Sequence, residues 1–298
     1  RVSAVEQLQA VEGLISRVLT VQHTSSFYLE LIPLSACGGT SCFQIDAVFT
    51  SSDGFTGPAW GSVTLRGTSG VELAAGFHWY LKYYTQSSIS WEKCGGNQVQ
   101  GVGIDLPPVT QMEQQTRSVP LSYYQNVCTA SYSEAWWEWE RWEQEIDWMA
   151  LQGINLPLAH VGTEGIWRDV FLALGLSDAD LALFFTGPAF FAWERMGNIQ
   201  GWGGVLPVGW HARAWALQQR VLARMRALGM CPVYPAFSGH VPAALTAVFP
   251  QANVSRQANW GAFPEQFCCT YMLEPTDPLF GKIGALFVAH LQRQWGSG

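Results

Sequence analysis

The sequence predicts an α/β protein, with a small N-terminal α/β domain over residues 1–115 followed by an incomplete (β/α)8 TIM-type barrel over residues 116–298. Hydrophobic residues make up 48% of the 298 positions and charged residues only 13%, which favours a large buried core over a disordered chain. After residue 121, short apolar runs alternate with helical patterns, and this alternation is typical of parallel strands joined by helices.

The elements of the N-terminal domain follow from periodicity. Apolar residues at helical spacing predict a helix over residues 5–18, and Ser69 opens a second helical pattern. Alternating and β-rich composition predicts strands at residues 27–32, 43–50 and 61–66. The Gly38-Gly39 turn between the first two strands suggests a hairpin. Residues 107–120, which contain Gln and Pro, are interpreted as the linker to the barrel.

The barrel elements repeat in the order strand, then helix. Apolar strand candidates occupy residues 123–128, 154–159 and 230–237. Helical patterns cover residues 133–152, 164–174, 178–185, 188–196, 210–228 and 241–249. Ser133 is the predicted N-cap of the first helix, Gly153 and Gly229 are predicted helix ends, and Thr276 or Asp277 caps a last helix after an irregular segment. Three strands cannot close an eight-stranded barrel, so the sequence is expected to stop inside it.

Charge and short motifs exclude several classes of partner. The formal net charge is −7 with a sequence pI near 5.3 and no basic stripe, which argues against a nucleic-acid partner. No run of about 18 apolar residues occurs, so no membrane span is predicted. The absence of CxxC and HExxH motifs argues against a metal site. Gly101-Val102-Gly103 lacks the third Gly of a dinucleotide fingerprint, so no cofactor is predicted.

The cysteines and one sequon favour an oxidising compartment. The chain has 7 Cys, so at least one thiol is unpaired. Cys37 and Cys42 flank a Gly-rich loop and could close a small disulfide. Asn253-Val254-Ser255 is a glycosylation sequon, although such triplets also occur by chance.

Several long segments resemble the α-N-acetylglucosaminidases of glycoside hydrolase family 89. The similarity is dense from residue 123 to residue 291 and sparser before it. The segments that carry it are YYQNVCT (123–129), SYS (131–133), WW (136–137), EIDWMAL (145–151), GINL (153–156), FTGPAF (185–190), RMGN (195–198) and PAFSGHVP (235–242).

The resemblance implies hydrolysis of terminal non-reducing α-linked N-acetylglucosamine, notably from heparan sulfate in animal lysosomes, so a lysosomal or secreted glycoprotein is expected. The family retains the anomeric configuration and uses two carboxylates, which in retaining enzymes lie about 5–5.5 Å apart. The first is expected in an Asn-Glu pair on a later barrel strand. No Asn-Glu dipeptide occurs among the 298 residues. Both catalytic carboxylates are therefore expected beyond Gly298, and the chain alone is expected to be inactive.

Residues that follow the predicted barrel strands are the candidate sugar contacts, because barrel enzymes place their chemistry at the C-terminal ends of the strands. These candidates are Asn126, Cys128, His160, Glu164, Trp193, Asn198, Trp202 and His240. Asn126 can both donate and accept, which suits sugar hydroxyls, or it can cap the loop backbone. Cys128 can instead be a small buried residue.

The other candidates also have structural alternatives. Glu164 can bond sugar hydroxyls or stabilise the start of its own helix. At His160 the family more often has Trp, so a stacking role is not expected there, although His can still form hydrogen bonds. Trp202 is flanked by glycines and is the better stacking candidate, whereas Trp193 can pack its helix. His240 can contact the sugar or cap the next helix.

Two other functions stay open on the sequence. If the short chain is the natural product, it could be a non-catalytic carbohydrate-binding protein. It could also be an unrelated barrel enzyme that shares only the architecture, although no GxSxG elbow occurs. The first prediction is a retaining glycosidase that acts on a glycan with terminal N-acetylglucosamine.

Overall fold

The computed structural model describes residues 2–49, 58–90 and 98–296. The chain divides into two compact units. The first contains Arg1–Tyr124, Glu140–Pro157 and Ala223–Pro232, and the second contains Gln125–Trp139, Leu158–Leu222 and Val233–Gly298. Each unit draws on separated parts of the chain, and a domain boundary near residue 115 stays a prediction. Cys94, and Thr50 at the end of a predicted strand, lie outside the described residues.

A four-stranded mixed sheet lies in the first unit. Its strands are β1 (Phe27–Leu31), β2 (Cys42–Phe49), β3 (Pro58–Gly67) and β4 (Glu113–Thr116), in the order β1-β3-β2-β4. β1 runs parallel to β3, whereas β2 is antiparallel to both β3 and β4. The three strands predicted from the sequence are therefore present, and β4 is an addition to them.

Two predictions about this sheet are wrong. β1 and β2 do not form a hairpin, because β3 lies between them. Their connection is longer than the two-residue turns that impose hairpin pairing; it makes a 3-10 turn at Leu34–Cys37 and is tied to β2 by the predicted Cys37–Cys42 disulfide. The segment interpreted as a linker contains β4, whose polar EQQT sequence gives no strand signal because it forms the edge of the sheet.

Two long helices of the N-terminal segment confirm the predicted helices. They are α1 (Ala4–Val18) and α3 (Gly70–Tyr84), and a short α2 (Val21–Thr24) follows α1. α1 begins at a capping box, in which Ser3 Oγ accepts from Glu6 N at 3.2 Å and the Glu6 carboxylate accepts from Ser3 N at 2.9 Å. α3 packs on β2 and β3 and buries Phe77 completely.

The parallel strands of the barrel are shorter than predicted. β5 (Tyr123–Tyr124) pairs in parallel with β6 (Leu156–Pro157). The third predicted strand contributes one parallel bridge, between Leu158 and Val233. The parallel orientation confirms the barrel prediction. Proline lacks the N–H group that a ladder needs, so Pro157 and Pro232 limit how far these strands extend.

Helices are the main regular elements of the remaining chain. They are α4 (Trp139–Leu151), α5 (Thr163–Ala173), α6 (Asp178–Ala182), a 3-10 turn (Pro188–Phe190), α7 (Phe191–Arg195), α8 (Trp210–Ala227), α9 (Leu245–Val248) and α10 (Pro278–Trp295). Gly153 and Gly229 follow α4 and α8 at φ 74° and 81°, as predicted for helix ends. Asp277 caps α10 by accepting from Leu279 N at 2.8 Å.

Three predictions beyond residue 130 need correction. Ser133 does not cap α4, because it lies in a π-helical turn at Ala130–Glu134 and α4 begins at Trp139. The segment interpreted as irregular contains β8 (Val254–Arg256) and β9 (Tyr271–Leu273), which join β7 (His240–Val241) in an antiparallel sheet of order β7-β9-β8. The helix predicted over residues 241–249 is confined to α9. Strands of two or three residues show too little alternation to be recognised.

One buried carboxylate of the first unit joins α4 to α1 and to the C-terminal end of α8. Asp147 of α4 is 4% exposed; it accepts from Arg17 Nε of α1 at 2.7 Å and from Arg224 Nε of α8 at 3.1 Å. Arg224 Nη2 also donates to Ala10 O at 3.2 Å. Removing one partner of a buried ion pair leaves an uncompensated charge, so this network fixes the three helices together.

Replacing Asp147 with Ala should therefore lower the free energy of unfolding by about 3–5 kcal/mol, measured by chemical denaturation. The substitution leaves the Arg224 guanidinium, whose side chain is 11% exposed, without its carboxylate. Glu30→Ala is the matched control, because Glu30 is 59% exposed and pairs with Arg66 at 3.0 Å, so its loss should cost no more than about 1 kcal/mol. Equally small losses in both variants would contradict the structural role of Asp147.

Candidate active site

Asn126 follows β5 and is exposed. Its Oδ1 accepts a hydrogen bond from Cys128 N at 2.8 Å, and its carbonyl accepts from Thr129 N at 3.2 Å. The side chain thus organises the loop after the strand, which is the structural alternative predicted for it. This contact uses only the oxygen of the amide, and the Nδ2 group still offers N–H donors.

A turn at residues 195–198 brings several predicted site residues together. The Cys128 thiol lies 3.9 Å from Met196 Sδ. Asn198 N donates to Trp193 O at 2.8 Å, and the Trp193 ring lies edge-on to Tyr132 with centroids 5.6 Å apart. Cys128, Trp193 and Asn198 therefore occupy one corner of the second unit.

His240 completes this corner by packing on Gly197. Gly197 has φ 73°, and a Cβ there would lie 1.6 Å from His240 Nε2, so the contact requires glycine. His240 Nδ1 lies 2.9 Å from Ser238 Oγ, and burial lowers the pKa of the His240 imidazole. Near neutral pH the ring is therefore uncharged and can offer one donor and one acceptor. Thr270, the residue before β9, holds the same turn, because its Oγ1 donates to Gly197 O at 2.5 Å.

A buried ion pair anchors the start of the turn. Glu164 is 1% exposed, and its Oε1 accepts from Arg195 at 2.7 Å. Within the described residues, its Oε2 has no hydrogen-bond partner. Glu164 also stands in the first turn of α5, where the helix dipole favours a negative charge. The pairing with Arg195 is a role that the sequence did not predict.

His160 belongs to a second buried pair. Its Nε2 lies 3.0 Å from Glu134 Oε2, and the two side chains are 5% and 2% exposed. Gln125 Nε2 donates to the other oxygen of Glu134. The carboxylate therefore fixes the orientation of the imidazole, in the way that buried carboxylates commonly position histidine rings.

Glu194 of α7 is a third buried carboxylate. Its Oε2 accepts from Thr186 N at 2.7 Å and from Thr186 Oγ1 at 2.8 Å. Burial, followed by the nearby Glu164 carboxylate, raises the pKa of Glu194 to about 8. Sequence reasoning missed both Glu134 and Glu194. The available signal was an acidic residue beside apolar and aromatic neighbours, as in FFAWER (190–195).

Trp202 lies within an aromatic cluster. Its ring is edge-on to Phe263 and Phe267, each with centroids 5.0 Å away, and to Phe190 at 6.3 Å. Phe190 also contacts Trp193 at 6.2 Å. Such edge-to-face packing stabilises a core by about 0.5–1.5 kcal/mol per pair. These contacts support packing, and a stacking role for Trp202 stays a prediction.

Asn253 of the sequon is exposed, and its backbone N donates to Asp277 Oδ2 at 2.7 Å.

Among the described residues, no group of three His, Cys, Asp or Glu side chains could hold a metal ion. A search of the described helices finds none with the length and apolar character needed to cross a membrane.

The structure thus brings four predicted residues around the 195–198 turn, and Asn126 adjoins them through Cys128. His160 and Glu164 are held by buried ionic partners, Trp202 lies in the aromatic cluster, and Asn253 is apart from all of these contacts. Which of these side chains contacts a sugar stays a prediction.

Polar and aromatic side chains gathered behind parallel strand ends are the arrangement of a barrel-type enzyme. Residues 122–298 match the family described as Alpha-N-acetylglucosaminidase (NAGLU) tim-barrel domain. Residues 9–108 match the family described as Alpha-N-acetylglucosaminidase (NAGLU) N-terminal domain. The chain belongs to the alpha-N-acetylglucosaminidase family, as its motifs predicted.

Similar proteins agree with this membership. Human Alpha-N-acetylglucosaminidase is 50% identical over 235 residues, which are 79% of this chain and 31% of the human protein. Two structures of a family 89 glycoside hydrolase from Clostridium perfringens are also similar, one in complex with 2-acetamido-1,2-dideoxynojirmycin and one with PUGNAc. Each is 28% identical in sequence, and each match covers 98% of this chain and 32% of the other chain. The TM-scores are 0.85 and 0.86. The chain therefore spans about a third of the length of these relatives.

Burial of Glu194 should make the stability of the protein depend on pH. Its pKa in the folded protein lies above the usual 4.5, so folding favours the protonated carboxyl. That contribution to stability is fully present below about pH 4.5 and is lost as the pH rises through about 8. Thermal unfolding across this window should show the wild type losing roughly 1–4 kcal/mol relative to Glu194→Gln, which does not titrate. A difference between the two proteins that stays constant with pH would contradict the burial effect.

Proposed function

We propose that the protein hydrolyses terminal non-reducing α-linked N-acetylglucosamine, on glycans of the heparan sulfate type. The observation that carries the proposal is the family match over residues 122–298. A further Clostridium perfringens structure, of a doubly substituted enzyme in complex with its substrate GlcNAc-alpha-1,4-galactose, supports the same linkage; it is 28% identical, covers 98% of this chain and 31% of its own, and has a TM-score of 0.85.

The proposed reaction retains the anomeric configuration through two carboxylates. One attacks the anomeric carbon while the other protonates the leaving oxygen, and the glycosyl intermediate is then hydrolysed. We place both carboxylates on barrel strands outside these 298 residues. The proposal rests on the family motif, since no Asn-Glu dipeptide occurs here. Glu134 and Glu164 are less suited to either role, because each is already paired with a buried cation or imidazole.

The residues of this chain bind and orient the sugar in the proposed mechanism. Asn126 Nδ2 donates to a sugar hydroxyl while its Oδ1 keeps the contact with Cys128 N. Trp193, which is half-buried beside the turn, offers an indole surface to the apolar face of the ring. The uncharged His240 can offer its Nε2 as one donor or acceptor, since its Nδ1 lies 2.9 Å from Ser238 Oγ. Charge plays little part in binding, which fits a neutral N-acetylglucosamine unit.

A lysosomal or secreted location belongs to the same proposal. It is supported by the Cys37–Cys42 disulfide, which is a bond typical of oxidising compartments, and by the exposed sequon at Asn253. A non-catalytic carbohydrate-binding role is the second candidate, because the proposed sugar contacts at Asn126, Trp193 and His240 need neither carboxylate.

Asn126 should bind sugar through its amide nitrogen in the protein at its natural length. Asn126→Asp keeps an oxygen for Cys128 N but removes the N–H donors, so we expect kcat/KM on an aryl α-N-acetylglucosaminide to fall roughly tenfold to a hundredfold with Tm unchanged. Asn126→Ala should lose activity as well as some stability. Asn259→Ala, at an exposed Asn whose Nδ2 donates to Phe263 O, is the control for a surface substitution. Wild-type kinetics in Asn126→Asp would leave only the loop-capping role.

Turnover by the 298-residue chain and by the protein at its natural length separates the two candidate functions. The 298-residue chain by itself should not hydrolyse the aryl glycoside, because loss of the acid and the nucleophile together costs several orders of magnitude in rate. The protein at its natural length should turn the substrate over. Turnover by the short chain at a rate typical of glycosidases would overturn the placement of the carboxylates. Sugar binding without turnover by the natural-length protein would favour the carbohydrate-binding role.

A further inference from the structure

Two adjacent cysteines lie side by side before β9. Cys268 is fully buried and Cys269 is 7% exposed. Their Sγ atoms lie 2.7 Å apart, although the two residues are neighbours in the chain. In an extended segment, successive side chains point to opposite sides of the backbone, so adjacent cysteines ordinarily hold their sulfurs apart.

The backbone of Cys269 explains how the sulfurs meet. Cys269 has φ 57°, in the left-handed region that residues with a side chain rarely adopt. This conformation turns its side chain towards that of Cys268. Two hydrogen bonds hold the pair in place: the Cys268 thiol donates to Phe263 O at 3.4 Å, and Arg256 Nε donates to Cys269 O at 3.3 Å. The approach of the two thiols is therefore built into the local fold.

A metal is a poor explanation of this approach. Within the described residues, no third His, Cys, Asp or Glu joins the two thiols in a group that could hold an ion. The pair is also distinct from the first-unit disulfide, Cys37–Cys42. A covalent bond between the two sulfurs satisfies both of them without a further ligand.

We propose that Cys268 and Cys269 are a modification site, at which a low-molecular-weight disulfide such as glutathione disulfide closes a bond between neighbouring residues. The Cys269 thiolate attacks one glutathione sulfur, which forms a mixed disulfide and releases one glutathione thiolate. The Cys268 thiolate then attacks the Cys269 sulfur and releases the second. Two cysteine thiols lose two electrons and two protons, and one glutathione disulfide becomes two glutathione molecules.

The chain geometry makes this bond easier to reduce than an ordinary one. Neighbouring Cα atoms are about 3.8 Å apart, below the roughly 4.4–6.8 Å of most disulfides, and strained disulfides are the labile ones. The bond also lies next to the candidate site. Thr270, the following residue, donates to Gly197 O in the turn on which His240 packs. Closing the ring fixes the backbone that holds this turn.

Peptide mapping of the protein at its natural length tests the bond without reference to catalysis. After equilibration with glutathione disulfide, the protein is denatured, alkylated with iodoacetamide without reductant, and digested with trypsin. The peptide of residues 257–282 contains only Cys268 and Cys269, and the peptide of residues 18–66 contains only Cys37 and Cys42. We expect the first peptide to carry no alkyl group and to be two hydrogen atoms lighter than its reduced form. Alkylation of both cysteines, or a link to any other cysteine, would overturn the proposal.

Titration with reduced glutathione supplies the second readout. The 257–282 peptide should become alkylated at a lower glutathione concentration than the 18–66 peptide, which serves as the internal reference. Cys268→Ser should keep the mixed disulfide, so its peptide should carry one glutathione on Cys269, whereas Cys269→Ser should leave Cys268 alkylatable before reduction. The matched control is Cys231→Ser, at an exposed free cysteine, which should leave the 257–282 result unchanged. A Cys268→Ser protein whose Cys269 is still blocked by another cysteine would contradict a bond between neighbours.

Discussion

The ion pair between Glu164 and Arg195 is the interaction on which the candidate site depends. Its side chains are 2% and 13% exposed, so both charges have lost most of their water. Such a pair is stable only when each charge keeps its partner, which makes its geometry hard to change. Arg195 begins the turn in which Met196 contacts Cys128 and Gly197 packs against His240. In the same turn, Asn198 N donates to Trp193 O of α7. Fixing Arg195 therefore fixes the corner that gathers the predicted sugar contacts.

Buried carboxylates are a general feature of the second unit. Glu134, Glu164 and Glu194 are each no more than 6% exposed. Glu134 pairs with an imidazole and Glu164 with a guanidinium, whereas Glu194, in which burial raises the pKa to about 8, accepts from Thr186. Removing an isolated carboxylate from water is costly, so these residues require their partners in place. The resulting rigidity suits a site that must hold a sugar in one orientation, since binding side chains are most effective when their positions are fixed beforehand.

The long helices could be predicted from the sequence, whereas most of the short strands could not. α1, α3 and α10 carry apolar stripes over 15 to 18 residues, and a Ser or Asp occupies the N-cap position of each. β8 and β9 have three residues each, and β4 is polar, so neither periodicity nor composition distinguishes them from loops. The order of the first sheet was misjudged for another reason: β1 pairs with β3, and strand order depends on contacts between distant segments.

The sequence by itself determined the family, the alternation of strands and helices, and the polar residues that follow the strands, because these are local patterns or long motifs. Only the tertiary structure decided which of those residues share a corner, since Cys128, Gly197 and His240 are far apart in the chain and meet through packing. It also decided the partners of the buried carboxylates. A carboxylate in an apolar segment shows that a partner is required, but only the folded chain supplies Arg195 for Glu164 and His160 for Glu134.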